Sequence, residues 1–213
     1  MTTAYHRFAG ASLDRLTALS DGIFAVAMTL LVLNLLSGIP TLHAALAGDS
    51  QLLQYLSHSR FGVRLLTYLM SFLTLGIFWN GQQAQLNHFE RSDFRLTWIH
   101  LAYLLTVTLM PFSTALLAAF VASRLAVLVY WLNLFLLGLM LFTSLTYAAR
   151  AGLEKEGAAE VRAAHRRRII VYQILYASAV AFCAISTYLA IGLLFALQVT
   201  SVVAPRIGRL GRI

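Results

Sequence analysis

The residues of this chain that could do chemistry lie at the head of an otherwise apolar stretch, RLTALSDGIFAVAMTLLVLNL, at positions 15–35. Asp21 follows Ser20 there, and a helix that served only as a membrane anchor would have no need of a carboxylate. Another titratable side chain, His100, also lies within an apolar run. Neighbouring residues on a helix point to different sides, so Ser20 and Asp21 make a poor catalytic pair. An ion pathway, a proton-binding pair and a helix-packing hydrogen-bond network remain as interpretations.

The sequence lacks the motifs of common catalytic and cofactor sites. It has no Gly-Lys-Ser/Thr phosphate loop, no His-Glu-x-x-His and no cysteine–histidine cluster. The lone cysteine, Cys183, lies in an apolar run and is expected to be a small buried side chain without an intrachain disulfide. We therefore expect that the chain is not an enzyme and holds no cofactor and no resident metal.

Membrane-spanning helices are the elements expected to position these residues. Of the 213 residues, 60% are hydrophobic and 11% are charged, and the mean hydropathy is +0.76, which departs from the usual composition of soluble domains. Several runs contain no Asp, Glu, Lys or Arg, and each exceeds the roughly 20 residues that a spanning helix needs. These runs are 22–48, 65–89, 96–123, 125–149 and 169–205. The sequence thus predicts an all-α integral membrane protein.

We expect six transmembrane helices in one domain, 1–213, because the last uncharged run is long enough for two crossings. We divide that run near Ser186-Thr187, and we expect the segment SGIP at 37–40 to end the first helix. The predicted helices span about 13–36, 62–86, 96–120, 125–149, 167–185 and 188–204.

The distribution of basic residues predicts an orientation. With both termini on one side, Arg60, Arg64 and Arg124 are the only basic residues on the other side. The positive-inside rule then places both termini in the cytoplasm, in a bacterial inner (plasma) membrane. This asymmetry explains the net charge of +8 better than a nucleic-acid partner would. The run AHRRRII at 164–170 is open to two interpretations, a specific anionic-lipid site and a general interfacial anchor.

The polar residues of the first helix are expected to find partners on other helices. Arg15 and Asp21 are six residues apart, so they are not close neighbours on a helix. The candidates at a comparable depth lie on the second and third helices, and they are Trp79, Asn80, Trp98 and His100. Farther along the first helix, Val26, Leu30 and Leu33 share one face by their i, i+4, i+7 spacing, with Thr29 at its edge. By spacing alone such a face is more often a lipid or helix contact than a pore lining.

Several motifs resemble those of the transmembrane-protein-175-type family, the endolysosomal potassium channel and its bacterial relatives. The segment RLTALSDG (15–22) is similar to the first-helix motif R-x-x-x-F-S-D-G, with a leucine in place of the phenylalanine. Further matches are IFAVAMTLLVLNL, SFLTLGIFWN, LMPFSTALL, and the pair Tyr130 and Asn133, so that the resemblance covers residues 12 to about 150. Gln82-Gln83 stand where many relatives carry two histidines.

The resemblance implies a homotetramer of six-helix subunits whose first helices surround a central pore. Bacterial members have one six-helix unit per chain and animal members two, and this sequence shows no second copy of the motif. It also implies a pore constriction at Val26, with further aliphatic layers at Leu30 and Leu33, and a contribution of Thr29 to selectivity. Arg15, Ser20 and Asp21 would form a helix-packing network with partners among Trp79, Trp98 and His100.

We therefore predict a passive, potassium-preferring cation channel in which K⁺ is a transient permeant ion and the partners are further copies of the chain and membrane lipids. The sequence has no Thr-Val-Gly-Tyr-Gly filter and no arginine-repeat helix, so neither a carbonyl filter nor a voltage sensor is expected. The main alternative is a proton- or cation-coupled secondary transporter that uses Asp21 and His100, although no inverted repeat is visible. A non-transporting scaffold is the third possibility, and it explains the first-helix motif poorly.

Overall fold

The structure is a computed structural model that describes residues 13–36, 49, 53 and 59–203. Over these residues the chain is helical, apart from turns, short connections and one isolated antiparallel bridge between Phe89 and Glu154. A short 3-10 turn, Phe182–Ala184, precedes the last helix. The helices are α1 (Leu13–Leu31), α2 (Leu33–Leu36), α3 (Ser59–Leu86), α4 (Phe94–Thr108), α5 (Met110–Ala119), α6 (Arg124–Ala151), α7 (Ala159–Ala181) and α8 (Thr187–Val203).

The helices, singly or as consecutive pairs, form segments that are long and apolar enough to cross a membrane. Among the described residues, five segments meet that length and composition, and a shorter apolar helix, Thr187–Val203, follows them. The prediction of an all-α protein with several apolar helices is therefore confirmed. The five segments are Leu13–Leu36, Phe61–Leu86, Phe94–Ala119, Arg124–Ala151 and Ala159–Ala184.

The helix ends differ from those expected, because helices continue beyond the uncharged runs. The largest difference is at α7, which begins at Ala159 rather than at about residue 167. The added turns carry Arg162, which is paired with Glu154, and Arg166, which is exposed, while the backbone remains helical. The segment 37–40, expected to end the first helix, and the basic residues Arg7, Arg206, Arg209 and Arg212 lie outside the described residues.

Two of the long apolar segments contain a break. The first is interrupted at Val32, whose N–H donates to Thr29 O at 3.3 Å in a tightened, three-residue turn. The other break is at Leu109, just before Pro111, whose missing N–H is tolerated within the first turn of α5. Asn34 Nδ2 donates to Pro111 O at 3.4 Å. This bond joins the segment after the break at Val32 to the segment after the break at Leu109.

α6 is the central element of the bundle, since α3, α4, α5, α7 and α8 all pack against it. α1 packs on α3 and α4. The main apolar core includes residues of the long helices, and Phe24, Leu31, Tyr130, Leu134 and Leu194 are among its most buried members. α1 is thus a peripheral helix of the single chain, held by one of its faces.

The loops 87–93 and 152–158 meet at one end of the bundle, which we call the basic end. Glu90 N donates to Leu153 O at 2.8 Å, and Lys155 N donates to His88 O at 3.0 Å. Arg162 also forms an ion pair with Glu154. These bonds fix the start of α4 and the start of α7 at the same end of the molecule.

Candidate functional site

The two faces of α1 differ sharply in burial. The face that meets α3 and α4 carries small and apolar side chains together with one hydroxyl, and consists of Leu16, Ser20, Phe24, Ala27 and Leu31. The opposite face is equally apolar but has no cover within the described chain. Val26 is 58% exposed and Leu30 43% on this face, and Leu33, which lies in α2 just after the break at Val32, is 51% exposed.

A shallow apolar groove runs along this face, with about 710 Å³ of empty space. Most of its lining comes from α1, and Thr108 of α4 closes one side. At Gly22 and Ala18 no side-chain atom beyond Cβ projects into the groove. We call this surface the α1 groove, and its lining residues are Ala18, Leu19, Gly22, Ile23, Val26, Ala27, Leu30 and Thr108.

Thr29 lies on the exposed side of α1, close to the predicted constriction residues. Its Oγ1 donates to Val26 O at 2.8 Å. A hydroxyl has one proton to donate and two lone pairs to accept with, so this bond uses the proton and leaves the oxygen free to face a cation or water. The same kind of bond to a preceding carbonyl is known to bend helices slightly, and the break at Val32 follows three residues later.

Asp21 is an exposed residue of the single chain, and its carboxylate is held by two donors from α3. Trp79 Nε1 donates to Asp21 Oδ1 at 2.8 Å, and Gln83 Nε2 donates to the same oxygen at 2.6 Å. Trp79 and Gln83 are four residues apart, so they lie on one side of α3. Both bonds are to a charged acceptor and are of the stronger kind.

Ser20 is fully buried and makes a parallel contact. Its Oγ donates to Leu16 O at 2.8 Å and accepts from Gln82 Nε2 at 2.9 Å. The adjacent pair Gln82-Gln83 therefore binds the adjacent pair Ser20-Asp21. The sequence predicted Trp79 as a partner candidate but missed the two glutamines, which stood out only as substitutions for histidine. Their position three and four residues after the tryptophan was the available signal.

The structure does not bring every residue of the predicted network together. Trp98 is 58% exposed and packs edge-on against Phe94, with ring centroids 6.1 Å apart. His100 is buried, with Nδ1 3.0 Å from Leu96 O and its ring against Phe89. Within the described chain, the side-chain hydrogen-bond donors to Asp21 come from α3 and not from α4. Arg15 is exposed in the early part of α1.

The other motifs that carried the resemblance meet in a separate buried cluster. The Tyr130 hydroxyl lies 3.3 Å from Ser71 Oγ, which accepts from Thr114 Oγ1 at 2.6 Å. Asn133 Nδ2 donates to Ser113 Oγ at 3.1 Å. These side chains come from α3, α5 and α6, so the SFLTLGIFWN, LMPFSTALL and Tyr-x-x-Asn segments are joined by hydrogen bonds. Such bonds satisfy polar groups that water cannot reach in a membrane.

The site offers no set of metal ligands. Among the residues that the structure describes, there is no group of three or more His, Cys, Asp or Glu side chains near enough to hold a metal ion. What the exposed face of α1 offers instead is an apolar surface beside the Thr29 hydroxyl.

Comparison with known proteins gives consistent matches. The model of the family "Endosomal/lysosomal potassium channel TMEM175" matches residues 15–111. A Streptomyces collinus protein named a potassium channel is 33% identical over 124 residues, 54% of each chain. A zebrafish (Danio rerio) protein named an endosomal/lysosomal proton channel TMEM175 is 26% identical over 129 residues, which is 61% of this chain and 24% of the zebrafish one. The chain thus spans about half or less of these relatives.

A solved structure matches over nearly the whole chain. It is the crystal structure of a lysosomal potassium-selective channel TMEM175 homolog from Chamaesiphon minutus, with a TM-score of 0.75 and 26% sequence identity. The match covers 90% of this chain and 97% of that one. The resemblance seen in the sequence motifs is confirmed by these findings.

Proposed function

We propose that this chain belongs to the TMEM175 family, whose model and solved homolog it resembles, and that it is one subunit of a potassium-preferring cation channel. In this proposal four copies place their first helices around a central pore, and each chain contributes six spans. The support is the match to the family model and the similarity to two relatives that are named potassium channels. Because those relatives are named potassium channels, we propose a preference for potassium in this chain as well.

One observation carries the proposal, namely that α1 exposes a continuous apolar face in the single chain. The α1 groove contains Gly22 and Ala18, and small residues allow close helix approach where lipid removes the hydrophobic drive for association. A second copy of the chain is the occupant that this surface fits in the proposed channel. Around a four-fold axis, Val26, Leu30 and Leu33 would then form successive aliphatic rings.

The mechanism follows from the polarity of those rings. An apolar constriction excludes water when it is narrow, and it conducts when it widens enough for an ion to pass with part of its hydration shell. Potassium gives up water more readily than sodium, so such a constriction favours potassium modestly. Thr29 would supply oxygens beside the apolar band, and its hydroxyl proton is already engaged by Val26 O. The outward lone pairs are therefore ready to replace some of the lost water.

The Ser20-Asp21 contacts have a positioning role in this proposal. Two donors from α3 hold Asp21, and a third holds Ser20 on the buried face of α1. The contacts set the rotation of α1 about its axis, and that rotation decides which side chains face the pore. Loss of these contacts would thus alter conduction without removing a pore-lining group.

We also propose that the basic end is cytoplasmic, in a bacterial inner membrane, with both termini on that side. Arg91, Arg95, Arg150 and Lys155 lie at or next to the loops of that end. At the opposite end, Arg124 Nη2 donates to Ala184 O at 3.1 Å. The positive-inside rule favours this orientation. Transport would be passive and without a voltage sensor.

A secondary transporter has less support from the geometry. It would need a proton-binding pair such as Asp21 with His100, yet Asp21 is bound by α3 donors and the His100 ring packs on Phe89. Proton passage through the same pore is a closer variant, since the zebrafish relative is named a proton channel. Replacing potassium by other cations at constant pH distinguishes potassium conduction from proton-coupled transport and from proton passage.

Cysteine accessibility tests the assignment of α1 to the pore. In a Cys183→Ala background, Val26→Cys and Leu33→Cys are expected to lose current when a charged, water-soluble thiol reagent is added. Leu125→Cys is the matched control, because Leu125 is 68% exposed but belongs to α6. Unchanged current in both Val26→Cys and Leu33→Cys would remove the first span from the pore, whatever the reagent does to Leu125→Cys.

A further inference from the structure

A cleft between α3, α6, α7 and α8 opens near the basic end. It lies within one chain, apart from the α1 groove, and the proposed pore makes no use of it. We call it the basic-end cleft. Its walls include Ile77, Leu141 and Tyr176, which give it an apolar interior, whereas its charged groups all come from α7.

The side chains of the cleft lining that can carry a positive charge are an arginine and a histidine. Arg168 and His165 line it, and its lining includes no acidic residue. Arg168 Nη2 lies 3.5 Å from Ser201 Oγ of α8, and its guanidinium is 5.8 Å from the Tyr172 ring centroid. The His165 ring lies 6.1 Å from that of His88 on the neighbouring loop. These contacts hold an arginine at the cleft with its charge uncompensated by any lining carboxylate.

Two glutamines of the lining carry acceptors without a partner in the described chain. Gln85 is 1% exposed, and its Nε2 donates to Leu141 O at 3.3 Å while its Oε1 is unpaired. Gln173 Nε2 donates to Leu134 O at 3.1 Å, and its Oε1 is likewise unpaired. Buried acceptors of this kind are costly, and they call for a donor.

The backbone beside Gln173 is shaped to accept that side chain. A Cβ at Gly138 would lie 1.7 Å from Gln173 Nε2, so only glycine lets the amide reach Leu134 O in this position. The placement of Gln173, and with it the unpaired oxygen, is therefore a specific feature of the packing between α6 and α7. The cleft combines a cation, buried acceptors and apolar walls.

We propose that the basic-end cleft binds a phosphate ester that also carries hydroxyl donors. The phosphate meets Arg168 and His165, since arginine binds phosphate through charge-assisted hydrogen bonds. The hydroxyl groups donate to the free oxygens of Gln85 and Gln173. A glycerol-bearing anionic phospholipid and a free glycerol phosphate share this chemistry, and both are sources that the test separates. The proposal stands whether or not the chain conducts potassium.

Binding is measured on the purified full chain in neutral detergent by native mass spectrometry, with phosphatidylglycerol and phosphatidylcholine titrated separately. We expect one tight phosphatidylglycerol per chain and weaker binding of phosphatidylcholine. Arg168→Gln is expected to weaken phosphatidylglycerol binding about tenfold or more, as befits the loss of a charge-assisted contact. Ala84→Phe, which fills the cleft without changing its charge, is expected to do the same.

Arg167→Gln is the matched control, because it removes the same charge one residue away, on a side chain that lines a different groove. Its binding of phosphatidylglycerol is expected to equal that of the parent. If free glycerol phosphate competes with phosphatidylglycerol, the headgroup chemistry alone is sufficient for binding. If it does not compete, the ligand is the whole lipid. Equal weakening in Arg167→Gln and Arg168→Gln, or no weakening in Arg168→Gln, would overturn the proposal.

Discussion

The side-chain amide of Gln83 donates to Asp21 Oδ1 at 2.6 Å, and this bond joins α3 to the segment RLTALSDG of α1. Trp79 donates to the same oxygen. The carboxylate thus acts as an acceptor that holds α1 against α3. The Gln83 donor is a neutral amide, which unlike a histidine does not titrate near neutral pH.

Gln83→Leu should loosen α1 from α3. Asp21 would keep only the Trp79 bond, and because the carboxylate is exposed in the single chain we expect a modest loss of about 1 kcal/mol. The thermal unfolding midpoint of purified protein should fall, and channel current should change with it. Gln83→Glu should be at least as harmful, since it places a second carboxylate against Asp21. A midpoint equal to that of the parent in both variants would contradict the assigned role.

Gln82→Leu should be close to neutral for stability, in contrast to its neighbour. It removes the donor to Ser20, but it also removes the buried, unpaired Oε1 of Gln82. Ser20 keeps its own bond to Leu16 O. The lost bond and the relieved acceptor are each worth about 1 kcal/mol and oppose each other. The same thermal measurement checks this, and a fall larger than that of Gln83→Leu would count against it.

Thr29→Ala should weaken the preference for potassium over sodium. The substitution removes the only side-chain oxygen that α1 places beside Val26 and Leu30 on the exposed face, so a partly dehydrated ion loses a replacement ligand. Thr29→Ser keeps the hydroxyl and should keep the preference. Reversal potentials under mixed potassium and sodium give the comparison. A selectivity in Thr29→Ala that matches Thr29→Ser would contradict the role of the hydroxyl.

Leu30→Ala should raise the resting leak. The smaller side chain widens the proposed apolar ring, so water enters it more easily and the closed state conducts. Leu125→Ala provides the control, because Leu125 is an exposed leucine of α6 away from the α1 groove. Leak through liposomes at zero voltage is the measurement. Equal leak in the two variants would exclude a gate at Leu30.

Gly138→Ala should destabilise the packing of α7 on α6. The added Cβ would lie 1.7 Å from Gln173 Nε2, so the amide must move and lose its bond to Leu134 O, at a cost of about 1–3 kcal/mol. Gly76→Ala is the matched control, because a Cβ there meets nothing within 4 Å. Alanine favours helix over glycine by about 1 kcal/mol, so Gly76→Ala should raise the unfolding midpoint while Gly138→Ala lowers it.

The fold was largely predictable because long uncharged runs leave a membrane chain few options. The positions of the apolar helices follow from the requirement that backbone groups bond internally in lipid. The start of α7 at Ala159 was not predictable in this way, since Arg162 and Arg166 continue a helix that hydropathy alone would end. The break at Val32 also has no sequence signal as plain as the proline beside Leu109.

The partners within the site were harder to predict, because they depend on how each helix is rotated about its axis. Trp79 and Trp98 are equally polar candidates in the sequence, yet one donates to Asp21 while the other faces outward against Phe94. Gln82 and Gln83 were visible as substitutions, but their bonds to Ser20 and Asp21 needed the register of α3 on α1. Spacing predicted a shared face for Val26, Leu30 and Leu33, and all three side chains are exposed in the single chain, although Leu33 follows the break at Val32.

The most direct test of the central claim is the reversal potential of the purified protein in a planar bilayer, with potassium on one side, sodium on the other and equal pH. The proposal predicts unitary currents whose reversal potential is displaced from zero toward the equilibrium potential of potassium. A reversal potential of zero would contradict the potassium preference. An absence of current, together with uptake driven by a pH gradient in liposomes, would contradict the channel itself.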